Sequence, residues 1–256
     1  MTETVRLSFP LQHVARIEFA RPDRANSLGP QELEALHRCL DLAEARPEVH
    51  VLVITGAGRH FSAGFDLSVL LERARGKSAA DELQADFERA ANRLEATRLV
   101  TLAALNGPAM GGATDLALAC DLRIGSERAA MTMPAALFGL PLNASALRRF
   151  ATRLGLAQAK WLVLTATPLD AHAMLAAGFV SEIVPADAFE ARVHALAERL
   201  GAMPGNALSA MKQVLNAASL QWSDQTAWQA HRTLIDAVDG EVIAQRIADA
   251  LAPKSS

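Results

Sequence analysis

At 256 residues with 51% apolar side chains, the chain can bury a sizeable core as one large domain with room for a smaller appended part, which excludes disordered and fibrous classes. Twenty-five basic and 28 acidic side chains leave a net charge of −3 without a long run of either sign. That balance points away from nucleic acid and acidic membranes as partners. The N-terminus has no apolar signal-type stretch, no apolar run is long enough to span a bilayer, and Cys39 and Cys120 sit singly in apolar helical patterns. The expectation is a cytoplasmic protein with reduced thiols.

In chain order, strands are predicted at Val14–Phe19, Val49–Ile54, Val100–Leu105 and Leu122–Gly125, with another near Ala130–Met133. Between the first two, Gly29-Pro30 opens a helix whose Leu33, Leu36, Leu40 and Ala43 recur at helical spacing until Arg46-Pro47. A second long helix is predicted from Asp81 to Thr97. After Val180–Val184 the strand signal ends, and Ala188–Leu200, Asn206–Leu220, Asp224–Val238 and Glu241–Leu251 all read as helices. Alternating strands and helices followed by helices alone make this an α/β chain with a helical C-terminal part.

Two segments carry chemistry. Strand residues 51–54 run into Gly56-Ala57-Gly58 and then Arg59-His60-Phe61-Ser62-Ala63-Gly64-Phe65-Asp66-Leu67. A dinucleotide loop would need a third glycine where Phe61 stands and a helix directly after it, and a short-chain dehydrogenase would need a tyrosine, which this chain lacks. The alternative is a tight loop feeding a helix capped by Asp66, with Leu67, Leu70 and Leu71 on its buried face. N–H groups at such a helix start have no intrahelical acceptor and suit an oxyanion, although an ordinary strand-to-helix turn would look the same. The second segment follows strand 100–105 and reads Asn106-Gly107-Pro108-Ala109-Met110-Gly111-Gly112-Ala113-Thr114-Asp115. Paired glycines before an apolar helix again expose N–H groups at the positive end of a dipole. Two such loops can converge on one carbonyl oxygen.

At these segments the chain resembles the enoyl-CoA hydratase/isomerase (crotonase) family, whose members carry a GxGxxFSAGxDL-like and a downstream NGxxxGGG/A signature. Arg21-Pro22-Asp23-Arg24-Ala25-Asn26-Ser27-Leu28, Ala119-Cys120-Asp121-Leu122-Arg123-Ile124 and Leu169–Pro185 resemble further family stretches, so that the likeness covers most of residues 14 to 217. It implies a spiral of β-β-α turns as a core over residues 1–186, with a helical C-terminal part over 187–256 that joins a homotrimer or homohexamer. It also implies an oxyanion hole formed by the backbone N–H groups of Phe65 and Gly112. Coenzyme A or its acyl group is then expected along Arg24, Ala25, Ala63, Gly64, Asp66, Leu67, Gly111, Pro134 and Ala135. The CoA thioester is the substrate, and no cofactor or metal is expected.

Family hydratases use two glutamates to hold a water for addition across the enoyl double bond. Here the first position is Asp115 and the second is Ala135. Alanine cannot transfer a proton, so the two-carboxylate hydratase set is incomplete, and Asp115 is the one catalytic candidate left by the resemblance. Asn143 and Ser145 are read as polar replacements or as cap residues, His60 as a loop residue and His172 as a polar helix position. The leading expectation is an acyl-CoA enzyme stabilising a thioester enolate, for isomerisation, hydration of an activated enoyl-CoA, decarboxylation or C–C cleavage. The alternative is an acyl-CoA-binding paralogue with little or no catalysis. A serine hydrolase would need a Ser–His pair that the sequence does not mark.

Overall fold

The computed structural model describes residues 3–69, 71, 79–220 and 240–252. A six-stranded sheet forms its centre. β1 (Val5–Leu11) pairs antiparallel with β2 (Val14–Phe19), and β2 is followed in parallel by β3 (Val51–Gly56), β4 (Val100–Leu105), β6 (Leu122–Ser126) and β9 (Ile183–Val184). A smaller sheet contains β5 (Ala109–Met110), β7 (Ala130–Thr132) and β8 (Leu169–Asp170). Parallel neighbours need crossovers. These are supplied by α1 (Pro30–Glu44), α2 (Ala79–Ala96), α3 (Gly112–Ala119), and the longer run through α4 (Ala144–Leu154), α5 (Leu156–Thr165) and α6 (Ala171–Ala176). Successive crossovers wind the chain into the expected α/β spiral.

The strands are apolar on both sides because both faces of the sheet are covered. Ile17, Leu52, Ile54, Ala103 and Leu105 face one core, which Leu33, Leu36 and Leu40 of α1 and Ala90, Ala91 and Leu94 of α2 complete. The alternate residues Val51, Val53, Leu102 and Ala104 face Phe189, Val193 and Ala197, spaced by four along α7 (Phe189–Gly201). At the start of α1, Pro30 follows Gly29, whose N–H donates to Glu32 Oε2 at 2.9 Å. This is the local chemistry that lets the helix begin there.

Two further helices follow among the described residues. In α8 (Gly205–Leu220), Lys212 Nζ donates to Leu99 O at 2.7 Å and pairs with Asp121 at 2.8 Å. In α9 (Gly240–Leu251), Ile243 and Ile247 pack on Phe65, Leu67, Leu71, Phe138 and Leu140, and Arg246 donates to Leu137 O at 2.9 Å. The last helix therefore lies over the loop that follows β3.

Several predicted boundaries move. The strand expected at Val49–Ile54 starts at Val51, because the Val49 N–H closes a turn on Arg46 O at 3.0 Å. The run Val180–Val184 keeps only Ile183–Val184 as strand: Phe179 N closes a turn on Met174 O at 2.9 Å, and although Ser181 N reaches Arg123 O of β6 at 2.9 Å, paired residues start at Ile183 opposite Gly125. β1 is an addition to the predicted strands. The expected helix Asp224–Val238 and the buried position of Leu70 lie outside the described residues.

Candidate active site

The two glycine-bearing loops leave the C-terminal ends of the adjacent parallel strands β3 and β4, where open α/β sheets place ligands. Two asparagines, Asn26 fully buried and Asn106 half-buried, hold the first of them. Asn26 Nδ2 donates to Ala57 O at 2.9 Å and to His60 O at 2.8 Å, while its Oδ1 accepts from Arg21 N at 2.9 Å. Asn106 Oδ1 accepts from Gly56 N at 3.1 Å, and its Nδ2 donates to Gly58 O at 3.0 Å. Both side chains thus satisfy backbone groups of one loop that no sheet ladder reaches.

Short parallel bridges then bring three segments together. Ala63 N donates to Ala25 O at 2.8 Å, Leu28 N to Gly64 O at 2.7 Å, and Asp66 N to Leu28 O at 3.1 Å. Leu28 thereby occupies the near side of the 64–66 backbone, so the Phe65 N–H is directed to the side away from Leu28. On the other side of the loop, Met110 N donates to Ser62 O at 2.9 Å, and Ser62 Oγ donates to Asn26 O at 2.7 Å. Gly111 N reaches Thr132 O at 2.9 Å, so Pro134 and Ala135 follow directly after this contact.

The approach of the two loops demands glycine at one point. Gly64 has φ +79°, and a Cβ there would lie 2.2 Å from Met110 O and 3.0 Å from Gly112 N. The Gly64 backbone, and with it the Phe65 peptide that follows, therefore comes up against the Met110–Gly112 backbone. Gly112 is the first residue of α3, so its N–H has no intrahelical acceptor and lies at the positive end of the helix. The Phe87 ring of α2 covers this glycine, with Cε1 2.5 Å from where a Cβ would be, and it also meets the Phe65 ring at 5.4 Å between centroids.

The residues expected to contact coenzyme A fall into one region. Ala25, Ala63, Gly64 and Asp66 are joined by the bridges described above, and Leu67 follows under Ile243 and Ile247. Arg24 is exposed at the end of the Pro22–Arg24 turn. Asp66 Oδ1 accepts from Ser68 N and Oγ at 3.2 and 2.5 Å. Burial alone would raise its pKa, but Ser68, Ser27 and Arg21 outweigh burial and hold the carboxyl below its ordinary range.

Asp115 is 3% exposed and bound at both oxygens: Arg149 Nε donates to Oδ1 at 2.7 Å and Nη2 to Oδ2 at 2.8 Å. Arg149, fully buried on α4, also donates to Asn92 at 2.8 Å and Glu95 at 3.2 Å. Glu95 further receives Arg148 and, at 3.1 Å, Arg153. Burial lowers the Arg149 pKa, yet Asp115 and Glu95 more than reverse that and hold the guanidinium above its ordinary value. The carboxylate expected to face substrate is thus clamped by a buried cation.

Asn143 is a helix cap, accepting from Ala146 N at 2.7 Å, whereas Ser145 donates to Glu88 Oε1 at 2.7 Å. Neither Arg149 nor Glu88 stands out in the sequence, because their partners are 34 and 57 residues away. Only the helical spacing of Glu88, Asn92 and Glu95 along α2 hints at a shared polar face. Among the described residues, no group of three or more His, Cys, Asp or Glu side chains could hold a metal ion, and no helix is long and apolar enough to cross a membrane.

The family model described as enoyl-CoA hydratase/isomerase matches residues 11–241. A protein of Mycobacterium tuberculosis named "Probable enoyl-CoA hydratase echA8" is 30% identical over 207 residues, 81% of this chain and 79% of that protein. The 4-chlorobenzoyl coenzyme A dehalogenase-2 of an Arthrobacter species is 30% identical over 246 residues, 92% of this chain and 86% of its own. Among solved structures, an enoyl-CoA hydratase/isomerase of Xanthobacter autotrophicus Py2 superposes with a TM-score of 0.84 at 28% identity, covering 99% of this chain and 100% of that one.

The asparagine bridging these loops gives a direct stability test. Asn26→Ala removes the side-chain donor to Ala57 O, one of the two donors to His60 O, which Asn106 Nδ2 also reaches at 3.3 Å, and the acceptor for Arg21 N, and is expected to cost roughly 1–3 kcal/mol in urea unfolding. A loss below about 0.5 kcal/mol would mean that the loop is held by other contacts.

Proposed function

Because the chain belongs to the enoyl-CoA hydratase/isomerase family, we propose that it binds an acyl-CoA thioester and stabilises the thioester enolate with the backbone N–H groups of Phe65 and Gly112. The observation that carries this reading is the packing of Gly64 against Gly112 N, which sets two peptide groups from different loops beside each other at a helix start. Fixed donors at the place where charge develops favour the enolate over the ground-state carbonyl. Coenzyme A would lie along Arg24, Ala25, Ala63, Asp66 and Leu67, with Arg24 free to meet a phosphate. The acyl group would pass Gly111, Pro134 and Ala135 under the Phe65 and Phe87 rings.

Hydration by two carboxylates does not fit this site. Ala135 supplies no acid, and Asp115 would have to give up a bidentate buried ion pair before it could take a proton. We assign Asp115 instead to positioning α3 through Arg149. A binding-only paralogue is the second reading, favoured by Ala135.

Titration with crotonyl-CoA is expected to give saturable binding that is tighter than for free coenzyme A, and failure of both to bind would overturn the reading. Asp115→Asn is expected to destabilise the fold by about 3–5 kcal/mol, because it leaves Arg149 under-compensated. Turnover per folded molecule should stay within a few-fold of the parent. A hundredfold drop in turnover at unchanged stability would instead make Asp115 the acid or base.

We also infer a homotrimer or a pair of trimers. Leu164 of α5 and Val214 and Leu215 of α8 support it, each at least 70% exposed. Sedimentation at micromolar concentration should give a mass of three or six chains, and a monomer would refute this.

A further inference from the structure

We infer that Glu88 on α2 is the catalytic acid–base carboxylate of this site, held by Ser145 and placed beside the oxyanion hole by its neighbour Phe87. The inference rests on the reading of the Phe65/Gly112 pair as the thioester site. Phe87 touches both halves of that pair, lying on Gly112 and against the Phe65 ring. Glu88 is the next residue on the same helical turn. It is half-buried, and its Oε1 accepts from Ser145 Oγ at 2.7 Å. Ser145 itself is 8% exposed in the first turn of α4, on the stretch of chain that follows Ala135.

Comparison with the other carboxylates nearby isolates Glu88. Asp115 gives both oxygens to Arg149, Glu95 is surrounded by three arginines, and Asp66 is fixed by Ser68, Ser27 and Arg21. A carboxylate tied to a guanidinium is a poor proton acceptor, since protonation would strand the cation. Glu88 has a neutral hydroxyl as its partner at one oxygen, and its Oε2 has no partner among the described residues. Taking up a proton at Oε2 therefore breaks no ion pair, and the Ser145 hydrogen bond can persist.

The step is a proton transfer. Glu88 Oε2 takes a proton from the acyl α-carbon, the C–H electron pair becomes the α-carbon–carbonyl-carbon π bond, and the thioester oxygen becomes the anion held by the two N–H groups. Return of the proton to the α-carbon restores substrate. Return to the γ-carbon of an unsaturated chain moves the double bond. No oxidant, reductant or second reactant is needed.

The test is exchange of the α-protons of butyryl-CoA in D2O, followed by mass spectrometry, beside butyryl-CoA affinity measured by calorimetry. Glu88→Gln keeps an oxygen for Ser145 to bond but cannot take the proton. It should lower exchange by about a hundredfold or more with affinity within about threefold of the parent. Glu88→Asp should recover part of the rate, and thermal melting should report both variants as folded. Exchange in Glu88→Gln at the parent rate, or a parent protein that binds butyryl-CoA without exchanging it, would overturn the role of Glu88. Failure of the parent to bind butyryl-CoA would overturn the thioester reading on which the role rests.

Discussion

Arg149 is one guanidinium with no exposed surface, and it fixes three helices to one another. Its Nε and Nη2 hold Asp115 of α3, its Nη1 holds Asn92 and Glu95 of α2, and it belongs to α4 itself. The planar fork suits this better than an ammonium, because several N–H groups are directed at once without further side-chain ordering. Everything proposed for the site hangs on these helices. α3 begins with Gly112, α2 carries Phe87 and Glu88, and α4 carries Ser145. A buried charge cluster of this sort adds little net stability over apolar packing, but removing one member leaves the others uncompensated. Its value here is positional.

The loops show the same division between support and chemistry. Asn26, Asn106 and Ser62 make side-chain hydrogen bonds to backbone atoms, and in doing so they fix the course of a loop that has no ladder partner. Gly64 then permits the contact with Met110 O and Gly112 N that any side chain would prevent. None of these groups needs to touch substrate. In the proposed reading they leave the Phe65 and Gly112 N–H groups set before substrate arrives, and preorganised donors stabilise developing charge most effectively.

Much of this was legible in the sequence, for identifiable reasons. β3 and β4 are buried on both faces, so their apolar runs stand out, and the glycines beyond them mark the closest backbone approaches. Helix α1 announces itself through Pro30 and the spacing of Leu33, Leu36 and Leu40. β5 and β8 are two residues each and too short to carry a period. The partner of Asp115 was illegible for a different reason. An acidic residue in a first helical turn is ordinary, and the arginine that occupies it lies 34 residues on, in a segment whose apolar positions attract attention first. Asn143 and Ser145 both read as polar replacements or as cap residues, and only the structure separates them: the cap is Asn143, and the serine bonds to Glu88.

The central claim is that the Phe65 and Gly112 N–H groups polarise a thioester carbonyl. Infrared difference spectroscopy of bound crotonyl-CoA labelled with carbon-13 at the thioester carbonyl measures that polarisation in the bond itself. The carbonyl stretch is expected to move to lower frequency than for the same thioester in water, as two aligned donors draw charge onto the oxygen. A bound thioester whose stretch stays at or above its frequency in water would contradict the account.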